Sequence, residues 1–327
     1  MKIKLNKKFK IFFFTLVSLI LITSTTYFVA NLYVKSHLSK IKIVIIPKDP
    51  ISTGIDSSTI PAKPNITNIL LLGTDSREPK SDPGRADSII ILAIDRDNKK
   101  IKMTSLMRDS LVTIEDHGNQ KLTHAHAFGG PLLAIKTINQ NYNLDITDYV
   151  EVNFFGLEKI IGYVGGIPIN ITNPEINAAN TNLSETAVIE HKKAPFLIKP
   201  GMQILNGMQA VAYERIRYVG NADFQRTQRQ RDVLNTLLKK LSTLAITSIP
   251  KAADTMFPYI ETSLKTDDIM SLCTYILTNK VNQLEESKVP YDGLYKNQIV
   301  NGLDVLVWDK VATIARLHQF IYGDIIK

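Results

Sequence analysis

The chain has 327 residues, of which 44% are hydrophobic and 21% are charged. This composition excludes a disordered chain and leaves enough apolar material for a large folded domain. The formal net charge of +8 favours an anionic partner, and the single cysteine, Cys273, excludes an intramolecular disulfide.

The N-terminus has the pattern of a membrane anchor. Five lysines lie within residues 1–10, and an uncharged apolar run follows at 11–34. A helix of that length spans a bilayer core, and the lysines before it place residues 1–10 in the cytoplasm and the rest of the chain outside. A cleaved signal peptide fits less well, because Phe28 stands where a small residue is expected. The external location argues against DNA as the partner.

After the anchor, the sequence predicts a linker or lead-in at 35–65, rich in proline and serine, and one domain at 66–327. Predicted strands are the apolar runs at 66–73, 88–94, 101–106 and 149–154, of which the second and third form a hairpin. Predicted helices cover 131–142, 155–163, 206–214, 228–244, 265–280 and 308–322. The polar region 172–195 is predicted to be an excursion or flap. These elements indicate an α/β fold in which a mixed central β-sheet is flanked by helices in an α-β-α sandwich, preceded by one transmembrane helix.

Four short segments combine arginine with aspartate next to predicted strand ends. They lie at 73–77, 85–88, 105–109 and 213–231. The fork of donors on arginine matches phosphate oxygens, whereas carboxylates bind divalent cations. Both together suit a phosphate or pyrophosphate that is bridged by a metal. From the spacing alone, a network of salt bridges that holds loops in place is the alternative.

Six motifs occur in a fixed order between residues 66 and 245. They are Gly-Thr-Asp-Ser-Arg (73–77), Arg-Ala-Asp-Ser (85–88), Ser-Leu-Met-Arg-Asp (105–109), Lys-Leu-Thr-His-Ala-His-Ala-Phe-Gly-Gly (121–130), Val-Gly-Gly (164–166) and Tyr-Glu-Arg-Ile-Arg (213–217). Together they resemble the LytR-CpsA-Psr family of Gram-positive and related bacteria. One departure is Leu106-Met107, where the family often has Ile-Pro, but the Arg-Asp pair that follows is present.

The resemblance implies a phosphotransferase that moves an anionic glycopolymer, such as wall teichoic acid or capsule, from a polyprenyl-pyrophosphate carrier to a sugar hydroxyl of peptidoglycan. The implied partners are therefore the lipid-linked glycopolymer, peptidoglycan and, through the anchor, the membrane, with no nucleic acid. The implied location is the cell membrane of a Gram-positive-type bacterium, with the catalytic domain outside.

The resemblance also implies roles for individual residues. Asp75 and Asp87 match metal-binding aspartates, and the metal is Mg²⁺ or Mn²⁺. Positions that hold the pyrophosphate are matched by Arg85, Arg108, Arg215, Arg217 and Gln230, with Arg77 and Arg226 as supports. The candidate catalytic residues are Arg108, Asp109 and Asp223, and Asp223 is the candidate acceptor of the hydroxyl proton.

Two rival functions use the same residues. One is a pyrophosphatase that hydrolyses the polyprenyl carrier with water as the acceptor. The other is a non-catalytic surface regulator that binds lipid-linked anions and influences wall assembly. His124 and His126 are not interpreted as metal ligands, because no third ligand lies near them in the sequence.

Overall fold

The computed structural model describes residues 35–75, 84–217, 219–220, 222–242, 248–279, 281 and 283–323. The predicted cytoplasmic tail and anchor, 1–34, lie outside the described residues. Within the described part of the chain, no helix combines the length and the apolar character needed to cross a membrane.

A seven-stranded mixed sheet forms the centre of the domain. Its strands are β1 (Lys42–Ile43), β2 (Ile66–Thr74), β3 (Ala86–Asp95), β4 (Lys100–Leu106), β7 (Asp148–Asn153), β10 (Ile260–Thr262) and β11 (Gln283–Val289). Their order across the sheet is β1-β10-β7-β2-β3-β4-β11. The pairs β2–β3, β3–β4 and β7–β10 are antiparallel, whereas β2–β7, β4–β11 and β1–β10 are parallel.

Three two-stranded sheets surround this centre. They pair β5 (Leu111–Ile114) with β6 (Gly118–Lys121), β8 (Ile167–Ile171) with β9 (Gly201–Leu205), and β12 (Tyr295–Val300) with β13 (Leu303–Trp308). The helices are α1 (Pro50–Thr53), α2 (Leu122–Tyr142), α3 (Phe154–Tyr163), α4 (Asn173–Ile189), α5 (Gly207–Glu214), α6 (Ala222–Ser242), α7 (Ile249–Met256), α8 (Thr266–Thr278) and α9 (Lys310–Tyr322).

The alternation of side chains along β2 explains why helices cover both faces of the sheet. Leu70 and Leu72 face one core, which also contains residues of α2 and α9. Ile69 and Leu71 face the opposite core, against α8. Successive side chains of a strand point to opposite faces, so a strand that is apolar at every position is buried on both sides. The predicted mixed sheet with flanking helices is confirmed.

A further core lies between α3, α4, α5, α6 and the β8–β9 pair. Within the region 172–195, predicted to be an excursion or flap, residues 173–189 form the helix α4, which packs into this core through Ala179 and Leu183. The helix starts with a capping box: the Glu175 carboxylate accepts hydrogen bonds from Thr172 N at 2.9 Å and Thr172 Oγ1 at 2.8 Å. The local capping signal therefore outweighs a weak apolar pattern.

Other predicted elements differ in their ends. The lead-in at 35–65 is partly built into the fold, because β1 pairs with β10 at the sheet edge. The helix predicted from residue 308 starts at Lys310, since Trp308 ends the strand β13. The predicted β3–β4 hairpin is confirmed, and Asp95 Oδ1 accepts a hydrogen bond from Asn98 N at 3.0 Å in its turn.

Candidate functional site

The strand directions bring the predicted segments to one end of the sheet. Because β2 and β3 are antiparallel, Asp75 at the end of β2 meets Arg85 at the start of β3. Asp75 N donates to Arg85 O at 3.1 Å, and Arg85 N donates to Asp75 Oδ1 at 2.6 Å. Both side chains are exposed. These two hydrogen bonds hold the end of β2 next to the start of β3, on either side of the segment 76–83.

Asp87 lies at the centre of the site, with 7% of its surface exposed. Arg108 Nη1 lies 2.6 Å from its Oδ1, and Arg217 Nη2 lies 3.4 Å from its Oδ2. Gln230 Nε2 donates to the backbone oxygen of Asp87 at 3.4 Å. Burial alone would raise the pKa of Asp87, but the charges of Arg226, Arg108 and Arg217 hold it below its ordinary value. Asp87 is therefore an ionised carboxylate surrounded by guanidinium groups.

The helix α6 closes this end of the sheet. Arg226 on its second turn is among the largest fully buried side chains, and its charge is the strongest electrostatic influence on Asp87. Thr227 Oγ1 lies 3.3 Å from Met107 Sδ, next to Arg108. Residues 226, 227 and 230 thus share the helix face that lies on the strand ends.

Three guanidinium groups, those of Arg108, Arg217 and Arg226, act on the single carboxylate of Asp87. This cluster, which we call the arginine cluster, carries more positive than negative charge. An excess of positive charge held in one place attracts an anion that presents several oxygens.

Arg215 and Arg217 point in different directions. Arg215 Nη1 donates to Thr186 Oγ1 at 3.1 Å, and its guanidinium lies 5.6 Å from the centre of the Phe154 ring. The cause is local: Arg215 has helical dihedral angles (φ −83°, ψ −4°) and ends α5. Two residues that are two apart share a face only in an extended segment. Of these two arginines, Arg217 contacts Asp87, whereas Arg215 lies against α4 and Phe154.

Arg229 has a structural role. Its Nε lies 2.8 Å from Glu175 Oε1, and both side chains are buried. Its Nη1 and Nη2 donate to the backbone oxygens of Ile216 and Val219, each at 3.2 Å. These two residues flank Arg217 along the chain. Arg229 therefore fixes the loop that carries Arg217. For this arginine, the alternative raised in the sequence analysis, a salt bridge that holds a loop in place, describes the contacts.

Asp109 follows Arg108 and is 8% exposed. Its carboxylate lies 2.8 Å from Lys121 Nζ and 3.5 Å from Arg108 Nε. Leu306 N donates to Asp109 O at 2.9 Å. These contacts suit a residue that orients the Arg108 guanidinium.

Glu214 is the site residue that the sequence reasoning missed. It is 5% exposed, and its carboxyl group has no hydrogen bond or ion pair with any residue that the structure describes. Burial raises its pKa to about 8, the charge of Asp87 adds to this rise, and Arg215 and Arg226 oppose it. The available signal was a carboxylate at the end of an otherwise uncharged helix, directly before the Arg215–Arg217 motif.

His126 makes hydrogen bonds next to the Asp75–Arg85 pair. Its Nδ1 lies 3.0 Å from Gly84 O, and its Nε2 lies 3.2 Å from Glu151 Oε2. Thr74 Oγ1 donates to Glu151 Oε1 at 3.1 Å. Burial would lower the pKa of His126, but its hydrogen bond and attraction to Glu151 raise it. The contacts link Gly84 and Thr74, the residues next to the Asp75–Arg85 pair.

Some predicted residues cannot be placed. Arg77 and the side chain of Asp223 lie outside the described part of the chain. Among the described residues, no group of three or more His, Cys, Asp or Glu side chains could hold a metal ion. Mg²⁺ is commonly bound by one or two carboxylates, with waters and substrate phosphates as the other ligands. Asp75 and Asp87 are the two candidate carboxylates for a site of that kind, and two carboxylates do not make a cage of protein ligands alone.

The LytR_cpsA_psr family model matches residues 28–317 of this chain. The polyisoprenyl-teichoic acid–peptidoglycan teichoic acid transferase TagT of Bacillus subtilis is 30% identical over 217 residues, which are 65% of this chain and 65% of TagT. The structure of TagT bound to LIIa-WTA aligns with a TM-score of 0.63 at 24% identity, over 80% of this chain and 92% of that one. A structure of TagT with bound octaprenyl pyrophosphate lipid aligns with a TM-score of 0.60 over the same shares, also at 24% identity. The two structures show a shared fold.

Proposed function

Since the chain belongs to the LytR-CpsA-Psr family, we propose that it transfers an anionic glycopolymer from a polyprenyl-pyrophosphate carrier to a sugar hydroxyl of peptidoglycan. This chain matches 65% of the length of TagT, and TagT is named as a teichoic acid transferase. A structure of TagT holds octaprenyl pyrophosphate. We extend both the activity and the carrier to this chain.

The arginine cluster is the observation that carries the proposal. A pyrophosphate diester bears one negative charge on each phosphorus, with oxygens that accept hydrogen bonds in several directions. Arg108 and Arg217 converge from different elements on the Asp87 carboxylate, at 2.6 and 3.4 Å. Guanidinium groups held in this way are already oriented, so little reorganisation is needed when a phosphate binds.

In the proposed reaction, a peptidoglycan hydroxyl attacks the phosphorus that carries the glycan. A new P–O bond forms to the acceptor sugar, and the bond to the bridging oxygen breaks. The electron pair leaves with polyprenyl phosphate, and the hydroxyl proton passes to a base. Arg108, Arg217 and Arg226 stabilise the negative charge on the transferring and leaving phosphates. The chemistry that Mg²⁺ or Mn²⁺ would supply is neutralisation of phosphate oxygens, and Asp75 and Asp87 would hold the ion.

The pKa values divide the acidic residues by role. Glu214, with a pKa of about 8, is mostly protonated at neutral pH and cannot accept a proton there. Asp87 is ionised but is engaged by arginines. We therefore propose Asp223 as the acceptor of the hydroxyl proton and Asp109 as a positioning residue for Arg108.

The proposed location follows from the sequence. Residues 11–34 would anchor the chain in the cell membrane, with the domain on the outer side, where both the lipid carrier and peptidoglycan are accessible.

The test is a transfer assay with the full chain in detergent micelles. The substrates are a synthetic polyprenyl-pyrophosphoryl glycan and a peptidoglycan oligomer, with Mg²⁺. We expect a phosphodiester-linked product that disappears with EDTA and returns with added Mg²⁺ or Mn²⁺. Arg108→Ala should lower kcat/KM by about 100-fold or more, since it removes a donor to the developing charge.

Arg316→Ala is the matched control, because Arg316 lies on α9 with its guanidinium 4.2 Å from the centre of the Tyr291 ring. It should retain activity. Carrier hydrolysis without a coupled product would replace the proposal with the pyrophosphatase. Carrier binding without any reaction would replace it with the regulator.

A further inference from the structure

An exposed group of aromatic rings lies next to the charged site. The rings of His117 and Phe128 are stacked, with their centroids 4.1 Å apart and their planes inclined by 18°. His124 lies beside Phe128, at 5.7 Å and 58°. Phe128 is 44% exposed although it is a large apolar side chain. We call these three residues the aromatic platform.

Two backbone features present the platform to solvent. The helix α2 is interrupted directly after Phe128, where Gly129 and Gly130 have non-helical dihedral angles and Gly130 has a φ of 65°. A Cβ atom at Gly129 would lie 2.7 Å from the side chain of Leu133, so only glycine fits there. His117 lies in the turn between β5 and β6 and reaches Phe128 from that hairpin. The exposure of Phe128 thus follows from the backbone conformation of α2 and of the β5–β6 hairpin.

Two hydrogen bonds place the start of α2 beside the pyrophosphate-binding residues: Thr123 N donates to Arg108 O at 3.0 Å, and Thr123 Oγ1 donates to Ala86 O at 2.8 Å. Burial lowers the pKa of His124, and the charges of Arg85, Lys121 and Arg108 lower it further. His124 Nδ1 also lies 3.1 Å from Gln120 Oε1. His124 follows Thr123 on the first turn of α2, so one edge of the platform adjoins the segments that carry Arg85 and Arg108.

We propose that the aromatic platform binds a sugar ring next to the pyrophosphate. A hexopyranose has a face of C–H groups that packs on the negative face of an aromatic ring, while its hydroxyls remain free to reach polar neighbours such as Gln120. The inference rests on the proposed function, and it adds residues to the glycan side of the same site.

The sugar ring has two sources: the first residues of the glycan on the carrier, or the acceptor strand of peptidoglycan. Both present a sugar ring with a face of C–H groups. Three probes distinguish them: polyprenyl pyrophosphate without sugar, polyprenyl-pyrophosphoryl disaccharide, and a peptidoglycan oligomer as the acceptor in the transfer assay.

The experiment compares Phe128→Ala, Phe128→Tyr and the full wild-type chain. Phe128→Ala should leave the Kd for polyprenyl pyrophosphate unchanged. It should weaken binding of the disaccharide carrier by about three- to tenfold if the ring belongs to the donor, or raise KM for peptidoglycan by about that factor if it belongs to the acceptor. Phe128→Tyr, which keeps the ring, should restore the wild-type value. The control is Phe196→Ala, because Phe196 is 53% exposed and lies elsewhere in the fold, in the connection between α4 and β9.

The inference is overturned if Phe128→Ala changes none of the three constants, or if it weakens the sugar-free carrier as much as the disaccharide carrier. The proposed function is tested by the wild-type chain in the same experiment. A wild-type chain that binds the carrier but shows no Phe128 effect overturns only the platform. A wild-type chain that binds neither carrier overturns both.

Discussion

Replacing Glu214 with glutamine tests the description of the site most directly. Glu214 is a buried carboxyl group without a hydrogen-bonding partner among the described residues, and its pKa in the folded chain is raised from 4.5 to about 8. Glutamine has almost the same shape but does not titrate. The pH dependence that Glu214 contributes should therefore disappear in Glu214→Gln, while the packing around it is retained.

The sign and magnitude follow from linkage between protonation and folding. Between pH 4.5 and about 8, the folded chain binds one more proton at Glu214 than the unfolded chain does. The contribution of Glu214 to stability is therefore complete below pH 4.5 and is lost as the pH rises to about 8. At 1.36 kcal/mol for each pKa unit, the whole loss is about 5 kcal/mol. About 4 kcal/mol of it falls between about pH 5 and about pH 8.5.

The assay is urea unfolding of both chains across that pH range, followed by fluorescence. The single tryptophan, Trp308, is a suitable probe because it is buried and stacks on Tyr142 with ring centroids 4.8 Å apart. The free energy of unfolding of Glu214→Gln minus that of wild type should rise by about 4 kcal/mol from low to high pH. Glu115→Gln, at an exposed position, is the control for the loss of one acidic group. A difference that stays constant with pH would refute the burial of an ionisable Glu214.

Two further predictions concern the loop and the proton acceptor. Arg229→Leu should lower the free energy of unfolding, measured with a denaturant, by about 3–5 kcal/mol, because it leaves Glu175 buried without its ion pair. The double variant with Glu175→Gln should recover part of this loss. An equal loss in the single and the double variant would contradict the reasoning. Asp223→Ala should lower kcat by about 100-fold or more while the Kd for polyprenyl pyrophosphate stays unchanged; an equal loss of binding and turnover would exclude the role of base.

The central sheet could be predicted from sequence because its strands are apolar on both faces. β2 and β3 each contain a continuous apolar run, at 69–72 and 89–94, and the turn of the β3–β4 hairpin has a typical composition. The later strands could not be predicted in this way. β11 contains Glu285, Glu286 and Lys288, and it pairs only with β4 at the edge of the sheet. An edge strand needs no continuous apolar pattern, so its position is decided by pairing over a long sequence separation.

The candidate site was partly predictable for a related reason. Asp75, Arg85, Asp87 and Arg108 could be recognised because they follow or precede strong strand patterns, and strand direction brings them together. The sequence could not show the direction of individual side chains. The spacing of Arg215 and Arg217 is compatible with side chains on one face or on different faces. The helical conformation of Arg215 directs its side chain to Thr186, whereas Arg217 contacts Asp87.

The arrangement of the sheet edges has a consequence for how the chain folds. Among the strands of the described residues, β1 pairs only with β10, which comes from Ile260–Thr262. At the opposite edge, β4 is covered by β11, from Gln283–Val289. Neither edge of the sheet can be completed until more than three quarters of the chain has emerged, and closing such long loops is slow. Until β11 has been synthesised, the outer edge of β4, which ends next to Arg108, stays unpaired, so truncations before Gln283 should expose this strand edge to aggregation.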